Sequence, residues 1–504
     1  MQIEHPTQKD LKWKKILLIK PNSRAISTAT HFTRFDTPPL NLTFIASYIV
    51  DLDVEVEILD ATVNNLDNKQ IKKKIKKFNP DVVGITVFIS AVINICYNIA
   101  KITKEINQNC LVVLGGRHPT VETEETLKVN EIDIIVRGEG ELTFRELILK
   151  GTPENVKGIS YKSNGKIIHN PDRAIIKDFG NIRYPARNLT KNNKYRIVNL
   201  RFETLQTSRG CPHHCKFCYT PIFNKGLWRP RPVEKIINEL KMISQNRRIT
   251  DIFFVDDNFT ADTIRIERLC EQIIECKTKK EMNDFKFLAQ VRADSIVKSP
   301  QMVKKMAEAG FWGVEIGIES VNEQTLREMK KGLTFNKILK ALKILNDNNI
   351  IIQGSIIIGS DLNATKKEII DEIKLIQKID VDILASNILT PIPGTELTKE
   401  LEEKKLIITK DWSKYTFTNP VIRTYRLTPK ELQELLYYSF RQIRTLYKLR
   451  GISLKILRTR GLLFMLNPIR MTSWLNAHIS INIIKKSFIK NQKKRNKKKR
   501  NRKN

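Results

Sequence analysis

Short runs of β-branched and other apolar residues alternate with helix-like stretches along two long parts of this chain. The first part, from residue 15 to 150, contains five such runs: KILLIK, VEVEIL, VVGITVF, CLVVLGG and DIIVRG. Runs that are mostly apolar and separated by amphipathic stretches are typical of parallel strands joined by crossover helices. The pattern therefore predicts an α/β chain whose residues 1–150 form an open, doubly wound, Rossmann-like domain.

The carboxyl ends of these runs carry glycine and polar residues. In an open parallel sheet, ligands bind at the carboxyl ends of the strands, and glycine there lets a large ligand approach the backbone. We therefore expect a ligand site at this edge of the sheet. The candidate residues are Asp60, Thr86, Gly115, Gly116 and the turn Gly138-Glu139-Gly140-Glu141.

A second series of six runs follows at residues 204–397: TLQTSRG, DIFFVDD, FKFLAQVRAD, GVEIGIES, IIQGSIIIG and DILASNILT. Six βα units in succession predict a partial (β/α)6 barrel with reactive groups at the carboxyl ends of its strands. Between the two series, residues 151–203 contain GISYKSNGKIIHN, which predicts a β-hairpin around Asn164-Gly165. The proline-containing stretch after it predicts a linker.

The carboxyl-terminal part is helical in pattern over residues 398–483 and strongly basic at 484–504. The formal net charge is +34, and the tail predicts a disordered, solubilising segment, with RNA or anionic lipid as the alternative partners. The stretch from 451 to 486 mixes apolar residues and Trp474 with Arg458, Arg460 and Arg470. It predicts a helix packed on the barrel, or one resting on an anionic membrane surface.

The first residues, MQIEHPTQKDLKWKK, lack the apolar stretch of a secretory signal, and no later run has the length of a membrane-spanning helix. Of seven cysteines, three are bunched, which does not suggest a disulfide framework. These features predict a cytoplasmic protein. The four scattered cysteines lie in apolar or helical contexts and are predicted core residues: Cys96, Cys110, Cys270 and Cys276.

Cys211, Cys215 and Cys218 lie within eight positions, on a loop that leaves the first barrel strand. Three soft ligands so close together can bind three corners of a cubane iron-sulfur cluster and leave the fourth iron open for chemistry. A structural zinc site would need a fourth ligand, which His213 or His214 could supply. In that alternative, the chain is a zinc-stapled RNA-binding protein, in which a structural zinc ion holds the cysteine loop and the basic tail binds RNA.

The pattern C-x3-C-x-aromatic-C after a first barrel strand resembles the signature of the radical S-adenosylmethionine (SAM) superfamily, and the resemblance covers the whole barrel. It implies that SAM chelates the open iron of a [4Fe-4S] cluster. An electron from a donor such as flavodoxin or ferredoxin would then cleave SAM to methionine and a 5′-deoxyadenosyl radical. That radical would abstract hydrogen from a substrate.

Later stretches agree with the same family. By similarity, Glu319 contacts the ribose or amino group of SAM, while the backbone near Ile358 and the loop at Pro391 pack on the adenine. Tyr219 and Asp256 are further candidates for the SAM site. Taken alone, a carboxylate at a strand end is more often a cap or an ion-pair residue. Arg292, on the third barrel strand, is expected to form an ordinary salt bridge rather than to contact SAM.

The first block resembles the cobalamin-binding domain that precedes the barrel in one large radical SAM class. The stretches that carry this resemblance are PPLNLTFIASYIVD, ILDATVNN, GGRHPT and GEGE. It implies that cobalamin binds at five residues: Asp60, Thr86, Gly115, Gly116 and Glu139.

This block departs from the wider cobalamin pattern at one point. Asp60-Ala61-Thr62 stands where many such domains have Asp-x-His, so cobalt would lack that imidazole. His118 is predicted to be a surface or loop residue rather than a replacement ligand. A paralogue that kept the fold and lost the cofactor is the alternative.

With both cofactors, two reactions on a small-molecule or lipid substrate fit. One is C-methylation, with SAM serving as methyl donor and as radical source. The other is oxidative cyclisation or rearrangement, implied by resemblance to the anaerobic magnesium-protoporphyrin ester cyclase branch, a group that includes enzymes acting on hopanoid lipids. The alternatives are the zinc-stapled RNA-binding protein and a radical SAM enzyme that modifies RNA.

Overall fold

The computed structural model describes residues 11–24, 26, 37–190, 194–197 and 200–442, together with Lys455 and Arg458. Its two large sheets have seven strands each. The first sheet belongs to the amino-terminal block and the second to the block with the cysteine triplet. The predicted fold class, a doubly wound α/β domain followed by a partial barrel, is confirmed.

The first sheet has the strand order β2-β1-β3-β4-β5-β6-β7. Its first five strands in this order are parallel, and β6 and β7 complete it as the predicted antiparallel hairpin. Asn164 and Gly165 both have positive φ at the hairpin turn, 49° and 74°, which suits the type I′ turn of a two-residue loop. The strands are β1 Lys15–Lys20, β2 Glu55–Asp60, β3 Val82–Val87, β4 Leu111–Gly116, β5 Ile134–Val136, β6 Ile159–Ser163 and β7 Lys166–His169.

Helices cover both faces of this sheet because its central strands are apolar on both sides. On β1, Leu17 and Ile19 belong to one hydrophobic core and Ile16 and Leu18 to another. Helices α2 and α3 close the first core, and α1 and α6 close the second. The helices of this block are α1 Leu40–Ser47, α2 Asn68–Phe78, α3 Ile93–Ile106, α4 Arg117–Val121, α5 Thr123–Leu127 and α6 Glu141–Lys150.

The second sheet has the order β16-β15-β14-β13-β12-β9-β8. Six of its strands are parallel, and the short β8 pairs antiparallel with β9. Because β16 and β9 do not pair, the barrel is open. The strands are β8 Arg196–Ile197, β9 Leu200–Leu205, β12 Asp251–Phe254, β13 Lys286–Val291, β14 Phe311–Glu319, β15 Ile351–Ile358 and β16 Ile383–Ile388, and a separate two-stranded ribbon contains β10 Ser208–Arg209 and β11 Arg229–Pro230.

One face of this curved sheet packs on helices and the other lines the barrel interior. Phe287, Ala289 and Val291 of β13 alternate into the helix-side core, so Leu288, Gln290 and Arg292 point inward. Strand β9 begins at Leu200, so the expected boundary between residues 203 and 204 falls inside it. The helices are α7 Thr220–Phe223, α8 Val233–Ser244, α9 Thr263–Thr278, α10 Ala293–Lys298, α11 Pro300–Ala309, α12 Glu323–Glu328, α13 Phe335–Asp347 and α14 Lys366–Lys378.

After the barrel, α15 Glu396–Glu403 and α16 Pro429–Gln442 form the described part of the helical carboxyl-terminal region. Lys455 pairs with Asp382 at 2.6 Å, and Arg458 donates to the side-chain oxygen of Asn349 at 2.7 Å, so both contact the barrel. Arg460, Arg470, Trp474 and the basic segment 484–504 lie outside the described residues. Among the helices that are described, none is long and apolar enough to cross a membrane.

Candidate active site between the two domains

The loop with the three cysteines leaves β10 through a narrow turn. Gly210 has φ of 89°, and a Cβ there would stand 1.9 Å from the carbonyl oxygen of Leu227, so only glycine fits. Asp256, just after β12, is fully buried beneath the loop. Its carboxylate accepts hydrogen bonds from the backbone N–H and hydroxyl of Thr207 and from the Ser208 hydroxyl at 2.5–3.1 Å. Burial raises the pKa of Asp256 despite these bonds.

Cys211, Cys215 and Cys218 are all reduced and partly exposed on this loop. Burial raises the pKa of the Cys211 and Cys218 thiols, and cluster iron would oppose this effect because a coordinating thiol is deprotonated. Arg292 donates from Nη1 to the Cys215 sulfur at 3.7 Å. Three accessible thiols beside a guanidinium suit an anionic iron-sulfur cluster, so the donor set fits the cofactor.

The two histidines of the loop contact other parts of the second domain. His213 Nε2 lies 3.6 Å from an Asp294 carboxylate oxygen, and burial lowers the pKa of His213. His214 lies beside Gly226, whose Cβ would come within 3.1 Å of the imidazole. Within the described part of the chain, no three or more His, Cys, Asp or Glu side chains are grouped to bind a single metal ion.

Glu319, one of the five predicted SAM residues, lies near the cysteine loop through its partner Lys331. Glu319 has φ of 63° and forms a buried ion pair with Lys331 at 2.7 Å. A Cβ at Gly317 would lie 2.2 Å from a Glu319 carboxylate oxygen, so this glycine makes room for the pair. The Lys331 ammonium lies 6.0 Å from the ring centre of Phe217. In the sequence, Phe217 stands between Cys215 and Cys218.

The predicted adenine contacts adjoin the same loop. The carbonyl oxygen of Ile358 accepts a hydrogen bond from the N–H of Leu389 at 2.9 Å. Leu389 lies two residues before Pro391, so this bond fixes the start of the Pro391 loop. Leu397, in the first turn of α15 after that loop, donates its N–H to the carbonyl of Lys216 at 3.1 Å. Tyr219 is buried and donates its hydroxyl to the carbonyl of Arg117 in the first domain at 2.9 Å. The polar groups of Tyr219 and Asp256 are thus used within the protein, and their contact with SAM stays a prediction.

A cavity of about 480 Å³ lies between the two domains. On one side are the carboxyl ends of β3, β4 and β5, and on the other are residues next to the cysteine loop. Four of the five predicted cobalamin residues line it: Thr86, Gly115, Gly116 and Glu139. From the second domain, Gln206, Arg209, Phe223, Asn224, Val255 and Asp257 line it.

Two glycines leave the first-domain wall of this cavity bare. A Cβ at Gly138 would meet no atom within 4 Å, and a Cβ at Gly115 would meet only Val136 at ordinary contact distance. A flat, large ligand can therefore approach the backbone there, so the wall fits a corrin ring. Gly116 differs, because its Cβ would stand 2.5 Å from the Val87 carbonyl oxygen at φ of 114°, and its role is to permit the turn.

Asp60 does not line this cavity. Its carboxylate pairs with Lys20 at 3.3 Å and accepts hydrogen bonds from the Tyr195 hydroxyl at 3.2 Å and the Val63 N–H at 2.9 Å. The reason is topological, since β2 is the edge strand and β1 separates it from the strands that form the wall. The structure therefore does not bring Asp60 together with the other predicted cobalamin residues.

Glu139 and Glu141 bind the base of the cysteine loop, a connection that sequence reasoning missed. Arg209 pairs with Glu139 at 2.9 Å and with Glu141 at 2.5 Å, and its guanidinium stacks on the rings of Phe44 and Phe179. Arg229 also pairs with Glu139, at 3.0 Å. Burial alone would raise the pKa of Glu139, but the two arginines hold it below its usual value. We call these four charged residues, Glu139, Glu141, Arg209 and Arg229, the interdomain charge cluster.

His118 is buried, at 2 % exposure, which corrects the prediction of a surface or loop residue. Its Nδ1 lies 3.0 Å from the Ser90 hydroxyl, and the ring of Trp412 packs edge-on against it at 5.1 Å. The packing of the segment around Trp412 on the first domain explains this burial. It is a tertiary contact across almost 300 residues that local sequence does not show.

This burial should make the fold sensitive to acid. Burial lowers the pKa of His118 from 6.5 to about 4. Between pH 6.5 and about 4, His118 is therefore protonated in the unfolded chain and neutral in the folded chain. Stability should fall by up to about 1.4 kcal/mol per pH unit over that window. Thermal midpoints between pH 7.5 and 4.5 should drop less in His118→Gln than in wild type, and a control at the exposed His169 should behave like wild type. Equal slopes for all three proteins would refute the prediction.

A half-barrel with three cysteines on the loop after its first parallel strand, joined across a cavity to a doubly wound domain, defines the class of radical SAM enzymes with an amino-terminal ligand-binding domain. Comparisons support both halves. Residues 28–148 match the B12 binding domain family, and residues 205–376 match the radical SAM superfamily.

The chain is 36 % identical over 439 residues to an uncharacterized methyltransferase of Pyrococcus horikoshii, covering 85 % of this chain and 93 % of that protein. It is 26 % identical to the anaerobic magnesium-protoporphyrin IX monomethyl ester cyclase of Rubrivivax gelatinosus, covering 80 % and 73 %. The fold is similar to that of the radical SAM methyltransferase TsrM of Kitasatospora setae, solved with cobalamin and a [4Fe-4S] cluster, with a TM-score of 0.65, 17 % identity and coverage of 84 % and 85 %. This chain belongs to the family of radical SAM enzymes that carry a B12-binding domain. Its membership leaves the zinc-stapled RNA-binding alternative without support.

Proposed function

We propose that this protein is a methyltransferase that uses cobalamin, SAM and a [4Fe-4S] cluster to methylate a carbon atom of a small molecule or lipid. One observation carries the proposal: the bare wall of the first domain and the base of the cysteine loop face the same cavity. Two cofactors bound on its two sides would meet at one substrate. The 36 % identity to the uncharacterized methyltransferase of Pyrococcus horikoshii supports methylation over cyclisation.

In this proposal, the residues of the chain bind the cofactors and orient them. Cys211, Cys215 and Cys218 would hold the cluster, which when loaded supplies the electron that cleaves SAM. Glu319, through its pair with Lys331, and the backbone near Ile358 and Pro391 would shape the SAM site. Asp256 positions the cysteine loop from below.

Thr86, Gly115 and Gly116 would lie against cobalamin, and the chain offers no histidine at the usual place for a cobalt ligand. Thr62, which stands there, donates its hydroxyl to the carbonyl of Pro21 at 2.8 Å. We therefore propose that cobalt binds without an imidazole from the Asp60-Ala61-Thr62 segment. Cobalamin held by these residues would supply the chemistry of methyl transfer, and Thr62 would contribute no nitrogen ligand to it.

The cluster needs a reducing compartment and an electron source, so we propose a cytoplasmic location and a flavodoxin or ferredoxin as donor. A lipid substrate would add contact with an anionic membrane surface through the residues after 450. Vesicle flotation with and without anionic lipid tests this last point, and equal flotation would reject it.

Anaerobic purification and reconstitution test the proposal directly. We expect about four irons and one cobalt per chain and no stoichiometric zinc. With SAM and dithionite, both 5′-deoxyadenosine and S-adenosylhomocysteine should form, because SAM serves as radical source and as methyl donor. Formation of 5′-deoxyadenosine alone would favour cyclisation instead, and the absence of both products would reject the radical mechanism.

Cobalamin binding has its own test at the bare wall. Gly115 does not have a positive φ, and a Cβ there would meet only Val136 at ordinary contact distance, so Gly115→Leu should fold normally and extend a side chain into the cavity. We expect cobalt content to fall at least about tenfold while iron content stays unchanged, a loss of about 1.4 kcal/mol or more in binding. Lys73→Leu, on the exposed face of α2 and away from the cavity, is the control. Full cobalt in Gly115→Leu would place cobalamin elsewhere.

A further inference from the structure

The inner face of the half-barrel carries a layer of three polar side chains. Gln290, Glu315 and Gln353 are partners in register on the adjacent strands β13, β14 and β15. Gln290 donates from Nε2 to a Glu315 carboxylate oxygen at 3.3 Å, and Gln353 also hydrogen-bonds the Glu315 carboxyl group. All three are partly buried.

This layer lies between the cluster loop and an apolar floor. Two residues further along the chain, just past the end of β13, Arg292 contacts the Cys215 sulfur, about 7 Å away at the rise of a strand. Two residues earlier, Leu288 pairs in register with Phe253, and both pack against Tyr195 and Phe202. Within the half-barrel, Glu315 therefore lies between the cysteine loop and this apolar floor.

Glu315 has no cationic partner among the residues that the structure describes. The neighbouring cations are already paired, Lys331 with Glu319 and Arg292 with Asp294. Burial raises the pKa of Glu315, and the nearby Glu319 raises it further. A partly desolvated carboxylate without a counter-charge lowers the stability of the fold. If residue 315 had only a structural role, the uncharged glutamine would give a more stable fold.

We propose that Glu315 binds a positively charged nitrogen of the substrate, an ammonium or guanidinium group, with Gln290 and Gln353 orienting the carboxylate. This inference rests on the proposed function and names the substrate class that it acts on. The substrate would bring the missing charge, its apolar part would pack on the floor, and charge-assisted hydrogen bonds would fix its orientation below the cluster.

The test measures binding and needs no natural substrate. Calorimetric titration of the reconstituted protein with SAM present compares benzylammonium with benzyl alcohol, which have the same shape and differ in charge. In wild type, the amine should bind roughly tenfold more tightly than the alcohol. In Glu315→Gln, this preference should disappear, while the thermal midpoint should be equal or higher because an unpaired carboxylate is gone.

The matched control is Glu372→Gln. Glu372 on α14 is likewise a partly buried carboxylate with no cationic partner among the described residues, and it accepts hydrogen bonds from the Ser320 hydroxyl and the Val321 N–H, but it lies away from the inner face. This control should keep the amine preference. Wild-type protein without a preference, or a preference that survives Glu315→Gln, would overturn the proposal. A weaker SAM affinity in Glu315→Gln would also overturn it by placing Glu315 in the SAM site.

The proposed function is measured separately on the same preparation, through iron content and 5′-deoxyadenosine formation. Loss of those signals with an intact amine preference would refute the radical function and leave the binding site standing. Normal 5′-deoxyadenosine formation without an amine preference would refute only the role of Glu315.

Discussion

Replacing Cys215 with alanine should remove the iron-sulfur cluster and, with it, all detectable SAM cleavage. Two thiols of the triplet would remain, which is too few to bind three corners of a cubane. The loop itself should stay in place, because Gly210, Asp256 and the β10–β11 ribbon fix its base independently of the cysteines. Iron and sulfide analysis after reconstitution, with a 5′-deoxyadenosine assay, measures both consequences.

Cys276→Ala is the matched control, because Cys276 is a cysteine of the helix-side core far from the loop in sequence. It should keep about four irons and wild-type SAM cleavage. Cleavage that persists in Cys215→Ala, or iron lost equally in both variants, would show that the triplet does not bind the cluster.

Replacing Arg209 with methionine should have the largest effect on stability of any single change in the interdomain charge cluster. Arg209 is the guanidinium paired with both Glu139 and Glu141, and removing it leaves Glu141 buried without its cation. Breaking a buried pair in this way costs about 3–5 kcal/mol. Thermal unfolding should show a lower midpoint, and the cobalt content should fall because the cavity wall and the loop base separate.

Two further variants test whether the loss of stability in Arg209→Met comes from the unpaired buried charge. Arg268→Met breaks the exposed pair with Glu234 and should cost less than about 1 kcal/mol. Adding Glu141→Gln to Arg209→Met should recover part of the loss, because the unpaired charge is then neutral, and this coupling separates charge from packing. Equal destabilisation by Arg209→Met and Arg268→Met would refute the importance of the cluster.

Much of the fold was predictable because each strand and helix carries its own local signal. All five runs in the first block are strands β1–β5, and Asn164-Gly165 forms the expected hairpin turn. The four scattered cysteines are buried, as their apolar contexts predict. The start of the barrel was less clear, because β9 begins at Leu200 and its first residues lie in a polar, proline-containing region.

The candidate site was predictable where a motif is contiguous and unpredictable where partners are distant. The cysteine triplet is a local pattern, and its neighbours in the barrel follow in order. Glu139 had been assigned to cobalamin from its position after a strand, yet two arginines 70 and 90 residues away occupy its carboxylate. Glu315 carries no motif at all, and its interest arises only from the two glutamines beside it on neighbouring strands.

The sequence by itself determined the two α/β blocks, the family and the three cysteines, because hydrophobic period, glycine positions and ligand spacing are properties of adjacent residues. Only the tertiary structure decided which side chains share the cavity, since that depends on strand order. The edge position of β2 keeps Asp60 away from the interdomain cavity, and the meeting of the two domains buries Arg209 with Glu139 and Glu141. Contacts between residues far apart in the chain have no local signal, because their energy appears only when both partners are desolvated together.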